Sequence, residues 1–207
     1  MNSAQIEATP YDFIPADVAP ATPARPRMLV LATSLASAAI AMGFMGLIGQ
    51  YVAQRAGVIA TGERWLPEGV VIPLTQPNYM GLTLAFSLIT IWWSVSAVRN
   101  DDGPNAFIAF GISLVFGFAY IAQTAFLLTI MELEILASDR AVLIYAIIGT
   151  HLVLMICAMA FAVIMALRTL GGDYSARDYE GVLCSALFWT MTVALYGVMW
   201  YAIYITK

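Results

Sequence analysis

Charged side chains are scarce in this sequence. Of its 207 residues only 11% are Asp, Glu, Lys or Arg, whereas 61% are hydrophobic. Soluble domains carry roughly 25% charged residues, so this composition excludes a water-soluble globular fold and a disordered regulator. The net charge of −4 provides no polycationic surface for nucleic acid either. The composition therefore predicts an integral membrane protein.

Residues that bind metals or act as nucleophiles are also rare. His151 is the only imidazole, and Cys157 and Cys184 are the only thiols. A haem held by two histidines, a copper site or a zinc site needs more donors than one histidine supplies. A Ser/His/Asp arrangement would lack its acid, because no carboxylate falls inside the apolar segments. The sequence predicts no catalytic, cofactor-binding or metal site in this chain.

The few charges leave five long charge-free gaps between them. Each gap exceeds the roughly 20 residues that a helix needs to cross the hydrocarbon of a bilayer. Each segment must be helical, because lipid offers no partner for backbone N–H and C=O groups. Barrel strands would be shorter and would alternate in polarity. We therefore predict five transmembrane helices, at about 28–52, 78–98, 105–131, 141–167 and 182–205.

Most connections between these segments are short, which forces neighbouring helices to run antiparallel. The predicted fold is an all-α integral membrane protein with a five-helix antiparallel bundle in residues 28–207. Residues 1–27 differ, since they contain five prolines and few large apolar side chains. That composition predicts an extended N-terminal tail. The tail either stays solvated or docks on a neighbouring subunit.

The basic residues predict an orientation in the membrane. The N-terminal side carries Arg25, Arg27, Arg99, Arg168 and Arg177, and the opposite side carries Arg55, Arg64, Arg140 and Lys207. Basic residues favour the cytoplasmic side, and those next to the first helix tend to dominate. We expect the N-terminus to be cytoplasmic and the C-terminus to be outside.

A few polar side chains fall within the spans. His151 has two interpretations: a neutral ring bonded to a hydroxyl such as Thr150 or Ser185, or part of a polar path to a neighbouring subunit. The first would help helices four and five to associate. For Gln123 and Thr124 in helix three we expect interhelical hydrogen bonds rather than an ion site.

Small residues form a stripe on the first helix. Gly43, Gly46 and Gly49 follow one another at i, i+3 spacing. Such a face lets another helix approach closely and gain dispersion contacts. The stripe predicts packing, either within the bundle or against another subunit. For Gln50, which follows the stripe, we expect an interhelical hydrogen bond.

A set of motifs in fixed order gives the chain a resemblance to a known family. The set comprises Arg25-Pro26-Arg27, Gln50 to Arg55, Trp65-Leu66-Pro67, Phe116 to Tyr120, Gly149-Thr150-His151 and Leu187-Phe188-Trp189. The order, length and loop pattern resemble subunit III of the haem-copper oxidases in its five-helix bacterial form. No single motif is specific, and the resemblance leaves out the tail.

The resemblance implies a non-catalytic subunit of a respiratory terminal oxidase in the bacterial inner (plasma) membrane. It implies subunit I and other oxidase subunits as partners, haem and copper in the catalytic partner and none in this chain, and bound phospholipid. His151, Gln123, Thr124, Trp189 and the three glycines are then the candidates for polar, lipid or interface contacts.

The sequence also departs from the family pattern. Leu154 stands where the family has a second histidine in helix four, and Thr190 to Val193 replace a histidine and an aspartate after Trp189. These losses disfavour a role in proton uptake and leave the structural, lipid-holding role. The alternatives are an accessory or repurposed subunit of another respiratory complex or supercomplex, an assembly factor, or a small independent transporter.

Overall fold

A computed structural model of the protein describes residues 27–66, 70, 72–131, 133 and 138–206. The regular structure in this part of the chain is helical, apart from an isolated bridge between Ser175 and Asp178. The helices are α1 (Met28–Ala60), α2 (Thr75–Arg99), α3 (Gly103–Ile130), α4 (Asp139–Leu170) and α5 (Glu180–Met199), which a π-helix (Trp200–Ile205) continues. All five are long and apolar enough to cross a membrane. The prediction of an all-α, five-helix membrane bundle is confirmed. The predicted tail lies outside the described residues except for Arg27.

Helix α1 is longer than the sequence analysis predicts. It runs eight residues past the expected end at Val52 and includes Arg55. A single arginine marks the edge of the hydrocarbon but does not end a helix, because arginine is a good helix former. The chain leaves the helix at Thr61 and Gly62, where Gly62 has a φ of 81°. Glycine adopts that left-handed conformation without steric cost, which suits the end of a helix.

The turns that reverse the chain are built from local capping bonds. The Asp102 side chain accepts a hydrogen bond from the Asn105 backbone N–H at 3.2 Å, directly before α3. The Ser138 hydroxyl accepts one from the Ala141 N–H at 3.2 Å before α4. Each cap supplies a partner for an N–H group that the first helical turn cannot pair.

The helices are packed unequally. Helix α5 lies against α1, α2 and α4, and α2, α3 and α4 pack in sequence order. Helix α1 lies at the edge, where it packs on α5 and, to a smaller extent, on α4. Only four of its 33 residues are buried, namely Ser37, Phe44, Ile48 and Tyr51. The core of the described bundle is therefore formed mainly by α2 to α5.

The segment after α1 is tied to the start of α4. Arg140 donates to the Arg64 carbonyl at 2.9 Å and forms an ion pair with Glu63 at 3.0 Å. Its guanidinium lies 5.7 Å from the centre of the Trp65 ring, and Trp65 is buried against Tyr51 of α1. Exposed ion pairs contribute little stability. The buried indole and the carbonyl bond hold this end of α1 in place.

Candidate functional site

His151 lies at the centre of the bundle with its side chain fully buried. Its Nε2 lies 3.0 Å from the Thr192 carbonyl oxygen of α5, and its Nδ1 lies 2.7 Å from the Tyr120 hydroxyl of α3. A carbonyl oxygen can only accept, so Nε2 carries the hydrogen and donates it. Nδ1 of the neutral ring then accepts from the Tyr120 O–H. Both nitrogens are satisfied, and one ring connects α3, α4 and α5.

Aromatic rings enclose this histidine. The ring centres of Tyr120, Tyr196 and Phe44 lie 5.4, 5.6 and 6.1 Å from that of His151, all with edge-to-face geometry. Aromatic pairs in this arrangement gain stability beyond the area that they bury. The Tyr196 hydroxyl points away and donates to the Pro77 carbonyl at 2.6 Å. The site is thus a closed aromatic cluster with complete hydrogen bonds at its imidazole.

The predicted partners of His151 were wrong. The hydroxyl that it bonds belongs to Tyr120 and not to Thr150 or Ser185. The Ser185 hydroxyl is buried and has no hydrogen-bond partner in the part of the chain that the structure describes. Tyr120 lies 31 residues before His151 on a different helix, so no local pattern could reveal the pair. The interpretation of His151 as a link between helices four and five agrees with its bond to Thr192.

The two candidate residues of α3, Gln123 and Thr124, form different kinds of hydrogen bond. The Gln123 amide donates to the Thr83 hydroxyl of α2 at 3.1 Å, which is an interhelical bond of the predicted kind. Thr124 donates to the Tyr120 carbonyl of its own helix at 2.8 Å, so the expected interhelical bond of Thr124 is wrong. A threonine that bonds back one turn satisfies its hydroxyl locally. Thr124 therefore contributes to the bundle by packing and not by an interhelical hydrogen bond.

Trp189 is a central contact between α5 and α2. Its ring is fully buried, and its Nε1–H donates to the Ser87 hydroxyl at 2.9 Å. Ser87 in turn donates to the Leu84 carbonyl at 2.6 Å. Two further indoles join the same helices, with Trp92 bonded to Thr190 and Trp200 bonded to Asn78. These bonds fix the register of α2 between Asn78 and Trp92 against the second half of α5 and the π-helix that follows it.

The three glycines of α1 do not face the bundle. Gly43, Gly46 and Gly49 are exposed, and a Cβ atom at any of them would have nothing within 4 Å. Packing of this stripe within the bundle is therefore excluded in the described residues, while packing on another subunit stays a prediction. Gln50 is exposed as well, and its side chain has no hydrogen-bond partner among the described residues, so the interhelical bond expected of Gln50 stays a prediction that needs a partner outside them.

Close helix contact occurs instead at two glycines that the sequence analysis missed. A Cβ at Gly117 would lie 2.8 Å from the Met159 Sδ, and one at Gly181 would collide with the Tyr174 hydroxyl. Tyr174 lies in the loop before α5, where burial raises the pKa of its phenol, and its hydroxyl donates to the Met165 Sδ at 3.2 Å. Isolated glycines carry no spacing signal, which is why these two were not singled out.

Groups that could bind a metal and cavities that could bind a ligand are the remaining features of the described residues that bear on a site. Within the described residues, no three His, Cys, Asp or Glu side chains lie together as a metal site would require. An open groove of about 590 Å³ lies between α2 and α5 and is lined by residues such as Gly81, Ala85 and Gly197. This groove is apolar and does not contain His151. Compared with models of protein families and with curated proteins, the sequence matches none.

Proposed function

We propose that the chain is a non-catalytic subunit of a respiratory terminal oxidase, with a role similar to that of subunit III of the haem-copper oxidases. It supports a catalytic subunit that carries the haems and copper, and it holds lipid beside that subunit. The chain lies in the bacterial plasma membrane with its N-terminus in the cytoplasm. The support for the oxidase assignment is the ordered set of motifs that gives the chain its resemblance to that family.

The proposal that the chain supports another subunit rests on the face of α1 that points away from the bundle. One face of α1 carries a series of positions that are alternately four and three residues apart. Gln50 occupies one of these positions. Small residues occupy the other seven, and all seven are exposed: Ala32, Ala36, Ala39, Gly43, Gly46, Ala53 and Gly57. We call this the small-residue face. Lipid tails gain little from such a face, whereas a second helix can approach it closely.

Gln50 places a polar side chain on the same face. An amide without a partner in hydrocarbon is costly, and a neighbouring helix could supply the missing donor or acceptor. The small-residue face and Gln50 therefore suit a helix of the catalytic subunit. The interior supports the same view, because the His151 side chain is satisfied within the chain and has no free nitrogen to offer a substrate.

Mild detergent extraction of a tagged chain tests this proposal. We expect haem absorption bands to co-elute with the chain in stoichiometric amount. Gly46→Leu should cut the co-eluting haem at least about tenfold, because a bulky side chain prevents close helix approach. Ala38→Leu is the matched control, since Ala38 is also exposed on α1 but lies outside the small-residue face. His151→Phe should leave the oxidase turnover of the assembled complex unchanged.

A colourless chain that elutes alone would reject the oxidase proposal. Equal haem recovery from Gly46→Leu and the wild type would reject α1 as the docking helix. Loss of proton pumping in an assembled His151→Phe complex would show that His151 belongs to a functional polar path.

A further inference from the structure

The groove between α2 and α5 has the size of a ligand site. Its volume is about 590 Å³, within the range of roughly 300–1,000 Å³ that is typical of small-molecule sites. We propose that this α2–α5 groove binds a membrane quinone, which is a flat, uncharged ring that carries carbonyl oxygens and an apolar tail. The lining includes Asn78, Gly81, Ala85, Tyr196, Gly197 and Trp200.

The free hydrogen-bond donors of the lining belong to one amide. The Asn78 Oδ1 accepts a hydrogen bond from the Trp200 Nε1–H at 2.9 Å, and an indole N–H can only donate. The Tyr196 hydroxyl donates to the Pro77 carbonyl at 2.6 Å. The two N–H groups of the Asn78 Nδ2 bond to no other group in the described part of the chain. A ligand atom that pairs with this amide must therefore be an acceptor, such as a carbonyl oxygen.

The charge of the lining favours a neutral ligand. Among the described residues that line the groove, none is Asp, Glu, Lys or Arg. A phosphate or carboxylate group placed there would lose its water without gaining a cationic partner. The ring of a quinone carries no charge, and each of its carbonyl oxygens can accept a hydrogen bond.

The floor of the groove is formed before a ligand arrives. The Tyr196 ring packs edge-to-face on Tyr120 and His151, with ring centres 5.7 and 5.6 Å away. A Cβ atom at Gly81 would lie 3.3 Å from the Tyr196 Cε1, so the glycine lets this ring approach α2. A Cβ at Gly197 would have nothing within 4 Å, so the space on the α5 side stays open. A preformed site has little ordering cost on binding.

The position of the amide orients the ligand. Asn78 lies in the first turn of α2, and Trp200 lies in the π-helix that ends the last span, so the amide is near the membrane boundary. Ala85 lies two helical turns farther along α2, about 10 Å deeper. A carbonyl-bearing ring at Asn78 would pack on the partly exposed Trp200 indole, and its tail would run toward Ala85. A plain hydrocarbon chain would leave the amide unpaired.

Photolabelling of the full-length chain in detergent tests this proposal. The probe is a photoreactive azidobenzoquinone with a decyl tail, and mass spectrometry locates the labelled peptides. We expect labels between Asn78 and Ala85 and between Val193 and Trp200. Excess decylbenzoquinone should reduce labelling at least about tenfold, because it offers the same carbonyl acceptors to the amide. Decylbenzene, which lacks the carbonyls, and phosphatidylglycerol, which carries a charge, should reduce it less than about twofold.

Substitutions that fill the groove provide the second part of the test. Gly197→Leu should reduce labelling at least about tenfold, because its side chain takes the volume that the ligand needs. Ala194→Leu is the matched control, since Ala194 is exposed on α5 outside the lining, and should change labelling less than about twofold. Ala85→Leu fills the same groove from α2 and replaces Gly197→Leu if that variant does not elute as a folded monomer.

A substitution at the amide tests the hydrogen bond itself. Asn78→Asp keeps an acceptor for Trp200 but loses both donors, and should weaken labelling about fivefold. Equal competition by decylbenzene would overturn recognition of a carbonyl, and equal competition by phosphatidylglycerol would overturn the choice of a quinone. Labels that lie outside the groove, or unchanged labelling in a folded variant with a filled groove, would overturn the site. The measurement uses the isolated chain, so its result does not depend on the oxidase assignment.

Discussion

Helices α1 and α5 look alike in sequence and occupy opposite environments. Both are apolar enough to span a membrane and both contain several small residues. Ten of the 20 residues of α5 are buried, including Gly181, Ser185 and Ala186, whereas all seven residues of the small-residue face of α1 are exposed. In α5 small residues let other helices of the same chain approach. In α1 the small-residue face is a surface that the other described residues do not cover.

The largest expected difference between α5 and α1 is in the stability that is lost when a large side chain is removed. Trp189→Ala in α5 should lower the free energy of unfolding by about 3–5 kcal/mol, since it leaves a cavity and removes the hydrogen bond that the Ser87 hydroxyl accepts. Met42→Ala in α1 should change it by less than about 0.5 kcal/mol, because Met42 is 69% exposed. Unfolding in mixed micelles with increasing denaturing detergent measures both. Equal effects of the two changes would mean that α1 is packed as tightly as α5.

Adding a single methyl group tests the same contrast at the glycines. Gly181→Ala should destabilise the chain by about 1–3 kcal/mol, because the new Cβ would collide with the Tyr174 hydroxyl and lie 2.8 Å from the Met165 Sδ. Gly46→Ala has open space and should be neutral or slightly stabilising, since alanine is the better helix former. Thermal unfolding in detergent gives the two shifts. A neutral Gly181→Ala would show that Tyr174 moves aside at little cost.

The smallest expected difference in stability is between substitutions of the two glutamines, Gln123 and Gln50. Gln123→Leu removes the bond to Thr83 and should cost about 0.6 kcal/mol, a typical value for interhelical bonds in membranes. Gln50→Leu removes no bond within the described residues and should not lower the stability of the isolated chain. It should instead reduce the recovery of haem in the pull-down. A stability loss for Gln50→Leu would place its partner inside this chain.

Much of the fold could be predicted because its cause is local. Arg99, Asp102, Arg140 and Arg168 lie at or near helix ends, since charges stay near water. The extension of α1 past Arg55 was missed because a charge marks the membrane edge and does not stop helical hydrogen bonding. The Gln123 bond was predicted in kind, whereas the partners of His151 were not, because they depend on which helices are neighbours.

The sequence by itself determined that this protein has five membrane-spanning helices and that its interior holds one imidazole. Bilayer thickness and the need to pair backbone groups act on each segment separately, so a linear pattern is enough to reveal them. Only the tertiary structure decided that the small-residue face of α1 points outward and that Tyr120 and Thr192 bond His151. Lipid is as apolar as the protein core, so a membrane helix lacks the polar face that would reveal which side is buried.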